Sequence, residues 1–94
     1  MITEKQYKKH ILSQGCIVTG ETGPHVVPHH VTCLRSGTRK VSDFLAIPLV
    51  SRLHTGYDDS IHDDKGRFEM LYGREDVLLA KTIQRAMDFF EVVF

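Results

Sequence analysis

The chain has 94 residues, 41% hydrophobic and 26% charged, and its 12 Lys and Arg are balanced by 12 Asp and Glu. That length supports one core and one site in one domain, 1–94, and excludes two. No apolar run is long enough to cross a bilayer, no repeat or low-complexity tract occurs, and no apolar segment follows the cationic opening MITEKQYKKH, so a cytoplasmic address is expected.

The elements follow in chain order. Thr3 and Gln6 stand at capping-box spacing and Gly15 is a stop signal, which predicts a helix from residue 4 to about 13. Two cysteines, Cys16 and Cys33, are too few for a disulfide framework and are expected as thiols. VVPHHVTCL is rich in β-branched residues, RSGTRK is a basic turn around Gly37, and DFLAIPL is a second apolar run, so a pair of short strands is predicted. Pro28 and Pro48 cannot donate to a ladder and are expected at strand edges or ends, with Pro48 able instead to introduce the helix LVSRLHT that Gly56 cuts short. DDSIHDDKG reads as polar loop. The last long segment, REDVLLAKTIQRAMDFFEVV, is the clearest helix, with Leu79, Ile83, Ala86, Met87 and Phe90 expected on its core face.

The zero net charge conceals an asymmetry. Residues 22–42 hold no Asp or Glu but carry Arg35, Arg39 and Lys40 together with His25, His29 and His30, a local field suited to phosphate. The order of strand with HH, basic turn, strand, and helix with His54 makes a ββα unit. Because a strand sends neighbouring side chains to opposite faces, one member of the His29/His30 pair turns inward toward His54 while the other approaches a ligand from a different side. Imidazoles holding a divalent cation, beside a free neutral histidine, form a device for phosphodiester hydrolysis.

The ordered series GCIVTGETG, HH, VSD, IPLVSRLHTG, SIH and RFEMLYGREDVLL, over residues 15–79, resembles the HNH (ββα-metal) nucleases, and among them the phage Ref-type recombination-enhancement nucleases. The resemblance implies an α+β fold in which a small ββα-metal domain carries an N-terminal helix and a long C-terminal helix packed on it. It implies a metal-dependent DNA endonuclease acting in phage recombination or DNA processing, with a host recombinase filament as a further partner. His30 is then the general base, His29 the first metal ligand and His54 the ligand supplied by the helix. Asp43 falls near the middle Asn of HNH motifs and braces the hairpin. On a continuous helix His62 would be turned about 80° from His54, whereas Asp58 at i+4 would share its face. If the chain loops back after Gly56, His62 reaches the cation, and the resemblance places a histidine there. His62 is therefore the expected third ligand and Asp58 the alternative. The cation is Mg, Mn, Ni or Zn, between which histidine ligation does not choose.

The chain also departs from that family. The structural zinc of such proteins takes two ligand pairs, and here Cys16 stands alone, with Thr19, Val50 and Leu53 at the other three positions. One thiolate cannot close a tetrahedral site, so no structural zinc is expected and apolar packing of Val50 and Leu53 takes its place. The basic extension preceding Ref-type domains has no counterpart in these residues, from which weaker DNA affinity is expected. In the implied mechanism His30 takes a proton from water, the cation steadies the departing 3′ oxygen, and Arg35, Arg39 and Lys40 position the DNA backbone without reading sequence. Arg52 either joins them or pairs with Asp43. Two other readings remain: a non-catalytic HNH-like module of phage origin that binds DNA or protein, and an interaction protein built on the FFEVVF tail, as monomer or homodimer.

Overall fold

A computed structural model describes residues 2–33 and 41–90. Helix α1 spans Glu4–Gln14 and opens with the expected capping box. The Thr3 hydroxyl accepts from the Gln6 amide at 3.1 Å while Gln6 Oε1 accepts from the Thr3 amide at 2.9 Å, which satisfies two orphan donors of the first turn. The helix stops at Gly15, whose φ of +96° lies in the region that L side chains avoid. A Cβ there would also come within 2.8 Å of the Glu21 carbonyl oxygen, so the position suits glycine twice over.

Strands β1 (Val26–His30) and β2 (Ala46–Val50) pair antiparallel, with His29 opposite Ile47 and His30 opposite Ala46. A 3₁₀ turn over Asp43–Leu45 leads into β2. The prolines lie at mid-strand, Pro28 opposite Pro48, on the outward edges of the ribbon as expected but not at its ends. Ladder parity explains how both are tolerated. Hydrogen bonds run from the Val31 amide to the Leu45 carbonyl and from the Ser51 amide to the His25 carbonyl, which makes the odd-numbered residues of β1 the bonded pairs. The proline nitrogens therefore point out of the ribbon, where no further strand pairs among the described residues. The outward Pro48 carbonyl accepts instead from the Ile17 amide at 2.9 Å, tying the loop after α1 to the sheet.

Every residue of β2 is buried because both faces of the ribbon are covered. Ile47, Leu49 and Val50 join Cys16, Val31, Leu53, Ile61, Phe68, Leu78 and Leu79 in the main core. Ala46 belongs to a smaller cluster with Tyr7, Ile11 and Ala86, where α1 and the last helix meet. Helix α2 is a single turn, Ser51–His54, and Gly56 at φ +94° redirects the chain. The chain then returns over α2: the Ile61 amide donates to the Leu53 carbonyl and the His62 amide to the His54 carbonyl. Asp63 locks this return by accepting from the Gly56 amide at 2.5 Å and from the Ser60 hydroxyl.

Helix α3 spans Lys65–Tyr72, capped by Asp64 and burying Phe68; α4 spans Glu75–Phe90. The buried line of α4 runs through Glu75, Leu78, Leu79, Thr82 and Ala86, while Ile83 and Met87 are half-buried at its flank. The core face is thus rotated from the one hydrophobicity predicts, because two polar residues sit inside it. Thr82 is admitted because its hydroxyl donates to the Leu78 carbonyl at 2.9 Å. The side chains of the FFEVVF tail lie outside the described residues. The described residues thus form a compact α+β unit with a two-stranded antiparallel sheet and four helices.

Candidate metal centre

Strand alternation separates the two adjacent histidines. His29, paired with Ile47, turns into the main core and is 1% exposed. His30, paired with Ala46, turns to the α1 face and keeps 29% of its side chain exposed. On the inner side, His54 ends α2 and the returning loop sets His62 beside it, with their Nε2 atoms 3.0 Å apart. Ring centroids lie 5.4 Å apart for His29 and His54, 5.0 Å for His29 and His62, and 4.5 Å for His54 and His62. One ligand atom from each of the three falls within 4.8 Å of the others, close enough to hold a metal ion. Bonds of about 2.0–2.1 Å from one ion at tetrahedral or octahedral angles leave ligand nitrogens roughly 3 Å apart, the spacing His54 and His62 already have. His29 is buried, His54 half-buried and His62 exposed, so the cluster opens to solvent on one side.

The electrostatics favour the neutral form of His54 and His62. Burial, followed by the neighbouring imidazoles of His62, His29 and His30, pushes His54 down to about 4. Burial and His29 lower His62 as well, against the opposing pull of Asp63 and Glu75. A neutral imidazole is the form that ligates a cation.

Behind His29 lies Glu75, the first residue of α4, itself 1% exposed. Its Oε2 is 2.6 Å from His29 Nε2, and its Oε1 accepts from the amides of Thr32 and Cys33, both at 2.8 Å. The Thr32 hydroxyl donates to the same carboxylate, and Lys65 Nζ stands 3.5 Å from Oε1. Burial alone would raise this carboxyl, but the bonds from His29 and Cys33 outweigh it and hold Glu75 at about 2. With Nε2 engaged, the other ring nitrogen of His29, Nδ1, is buried and has no hydrogen-bond partner among the described residues. A buried polar atom left so is costly unless something else meets it.

On the outer face, His30 Nε2 is 2.6 Å from Asp43 Oδ1. Asp43 is positioned by α1: its amide donates to Glu4 Oε1 at 3.1 Å, and Lys8 Nζ lies 3.8 Å from its Oδ2. The carboxylate thus engages one ring nitrogen of His30.

Asp58, the alternative ligand, is not a member of the histidine cluster. Arg52 pairs with Glu21, its Nη1 donating to Oε2 at 3.0 Å, rather than with Asp43. That partner lies 31 residues away in sequence, beyond any local pattern. Arg35, Arg39 and Lys40 lie outside the described residues. Val50 and Leu53 pack with Cys16 in the main core, and the Cys16 sulfur accepts from the Thr19 amide at 3.5 Å. Burial pushes this thiol up, but hydrogen bonds from Thr19, Val50 and Val18 outweigh it and leave the thiol below its ordinary value.

Glu75, Thr32 and Lys65 carry no role in the sequence reading. An acid in the first turn of a helix is explained by the helix dipole alone, so Glu75 signals nothing locally. Its one trace is its place in the Y-G-x-E stretch at the end of the family-like series.

A family model described as a protein of unknown function, DUF968, matches residues 1–89. The chain belongs to the DUF968 family. Neither the curated proteins nor the solved structures yield a match to this DUF968 chain. Among the described residues, no helix is long and apolar enough to cross a membrane.

Proposed function

We propose that this DUF968 protein is a metal-dependent DNA endonuclease of the HNH type, its β1–β2–α2 unit serving as the ββα-metal core. The observation that carries the reading is the grouping of His29 with His54 and His62, together with a buried His29 Nδ1 that meets no hydrogen-bond partner among the described residues. The three imidazoles fit a divalent cation in donor type and spacing, and the lowered values of His54 and His62 suit ligation. When bound, the cation supplies Lewis-acid stabilisation of negative charge on a phosphate oxygen.

The chain's own residues do the remainder. Asp43, an acceptor, fixes His30 with its proton on Nε2, so Nδ1 is the basic nitrogen that removes a proton from water. Helix α1 holds Asp43 through Glu4 and Lys8, which orients the base from the face opposite the ligands. Cations of residues 34–40 lie in the stretch that follows β1 and would grip the DNA backbone, giving low sequence specificity and steep salt dependence.

The test is nicking of supercoiled plasmid with magnesium, manganese, nickel or zinc. His30→Ala is expected to slow nicking by about 10²–10⁴-fold while leaving metal binding intact. Equal rates for the two proteins would remove His30 as the base. DNA retention without nicking in any metal would leave the binding-module reading in its place.

A further inference from the structure

The geometry points to Glu75 as a positioning residue that sets the tautomer of His29 and so makes Nδ1 its ligand atom. The inference rests on the metal-centre reading and adds the residue that prepares it. A histidine presents two nitrogens, and which one can bind a cation depends on where its proton sits. Here the choice is made by the carboxylate at 2.6 Å from Nε2. Four further donors surround that carboxylate: the Thr32 and Cys33 amides, the Thr32 hydroxyl and the Lys65 ammonium. Ringed by donors, it acts as an acceptor only, so the proton of a neutral His29 resides on Nε2. The lone pair then falls on Nδ1, the buried atom that meets no hydrogen-bond partner among the described residues. A carboxylate behind a ligating imidazole fixes ring orientation and raises ligand basicity.

The arrangement also explains why the carboxylate comes from α4. Glu75 accepts from residues 32 and 33 just beyond β1 and from Lys65 at the start of α3, so one side chain ties three elements to the back of one ligand. Its own amide donates to Glu69 Oε2 at 2.7 Å, which closes the turn between α3 and α4 and leaves the carboxylate little freedom.

Glu75→Gln separates positioning from mere packing. The amide oxygen can keep the bonds from Thr32 and Cys33, which turns the NH₂ group toward His29 Nε2. A donor there forces the ring proton onto Nδ1 and occupies the ligand atom. Long-range ¹H–¹⁵N NMR of the metal-free protein at neutral pH is expected to show His29 protonated on Nε2 in the native chain and on Nδ1 in Glu75→Gln. Calorimetry with cobalt or nickel is expected to show affinity falling about 10–100-fold in Glu75→Gln.

A native His29 protonated on Nδ1 overturns the proposal even if Glu75→Gln does not fold. Native binding of cobalt or nickel with equal affinity and an unchanged tautomer in Glu75→Gln overturns it while sparing the metal centre. No binding of cobalt, nickel, manganese or zinc by the native chain removes the metal centre itself, and this role for Glu75 with it.

Discussion

Two corners of this molecule share the single turn of α2 and end differently. On one side of the turn Val50 and Leu53 close over Cys16 in an apolar corner, where the thiol already accepts from the Thr19 amide. On the other side His54 faces His29 and His62, and the Nδ1 of His29 has no hydrogen-bond partner among the described residues. The difference shows how a structural corner is told from a receptive one. In the first, burial is apolar and the one polar atom is answered from within the chain. In the second, three imidazoles share a small volume, and one buried nitrogen among them meets no hydrogen-bond partner among the described residues.

The strongest way to break the comparison is through the apolar corner. Leu53 is 4% exposed, and Leu53→Ala should cost about 2–5 kcal/mol in urea unfolding, while a folded sample still binds metal through its histidines. A result in which Leu53→Ala is neutral would show that this corner does not support the fold.

Next comes the receptive corner. Cobalt or nickel at a hundred times its dissociation constant should raise unfolding stability by about 2.7 kcal/mol, and His54→Ala or His62→Ala should abolish that gain. Cys16→Ser should keep it. Loss of the gain in Cys16→Ser alone would reverse the assignment of the two corners.

Acid sharpens the contrast for the metal-free chain. His54 sits at about 4 in the fold against an ordinary value of 6.5, so between these the unfolded chain binds the proton more readily. Stability is therefore expected to be undiminished by this group above pH 6.5 and to fall as pH drops toward 4. Glu75, at about 2 against an ordinary 4.5, adds a contribution that is present above pH 4.5 and is lost as pH falls through 2. His54→Asn should flatten the upper part of the profile and leave the lower part. Chemical unfolding across this pH range reads both.

The smallest expected effect is a control on both corners at once. Thr3→Ala removes the cap of α1 and should cost about 1 kcal/mol without altering the gain from metal. A change in metal affinity would mean that α1 reaches the inner site.

Local rules carried part of this structure. The capping box and Gly15 marked α1 because those signals act within one turn, and the β-branched run with HH marked β1 because strand alternation operates between neighbours. The same alternation separated His29 from His30, and a glycine after His54 announced the loop that returns His62. Tertiary packing decided what those rules do not reach. Ladder parity let Pro28 face Pro48 at mid-strand, and the Thr82 hydroxyl, satisfied within its own helix, joined the core face of α4. Glu21 claimed Arg52 from 31 residues away. Glu75 reads in sequence as an ordinary first-turn acid, and only the fold sets it 46 residues back along the chain against His29. The physical reason is one of range: caps, turns and pleats are set by neighbouring residues, whereas a buried partner is chosen by whichever group the folded chain brings within hydrogen-bonding distance.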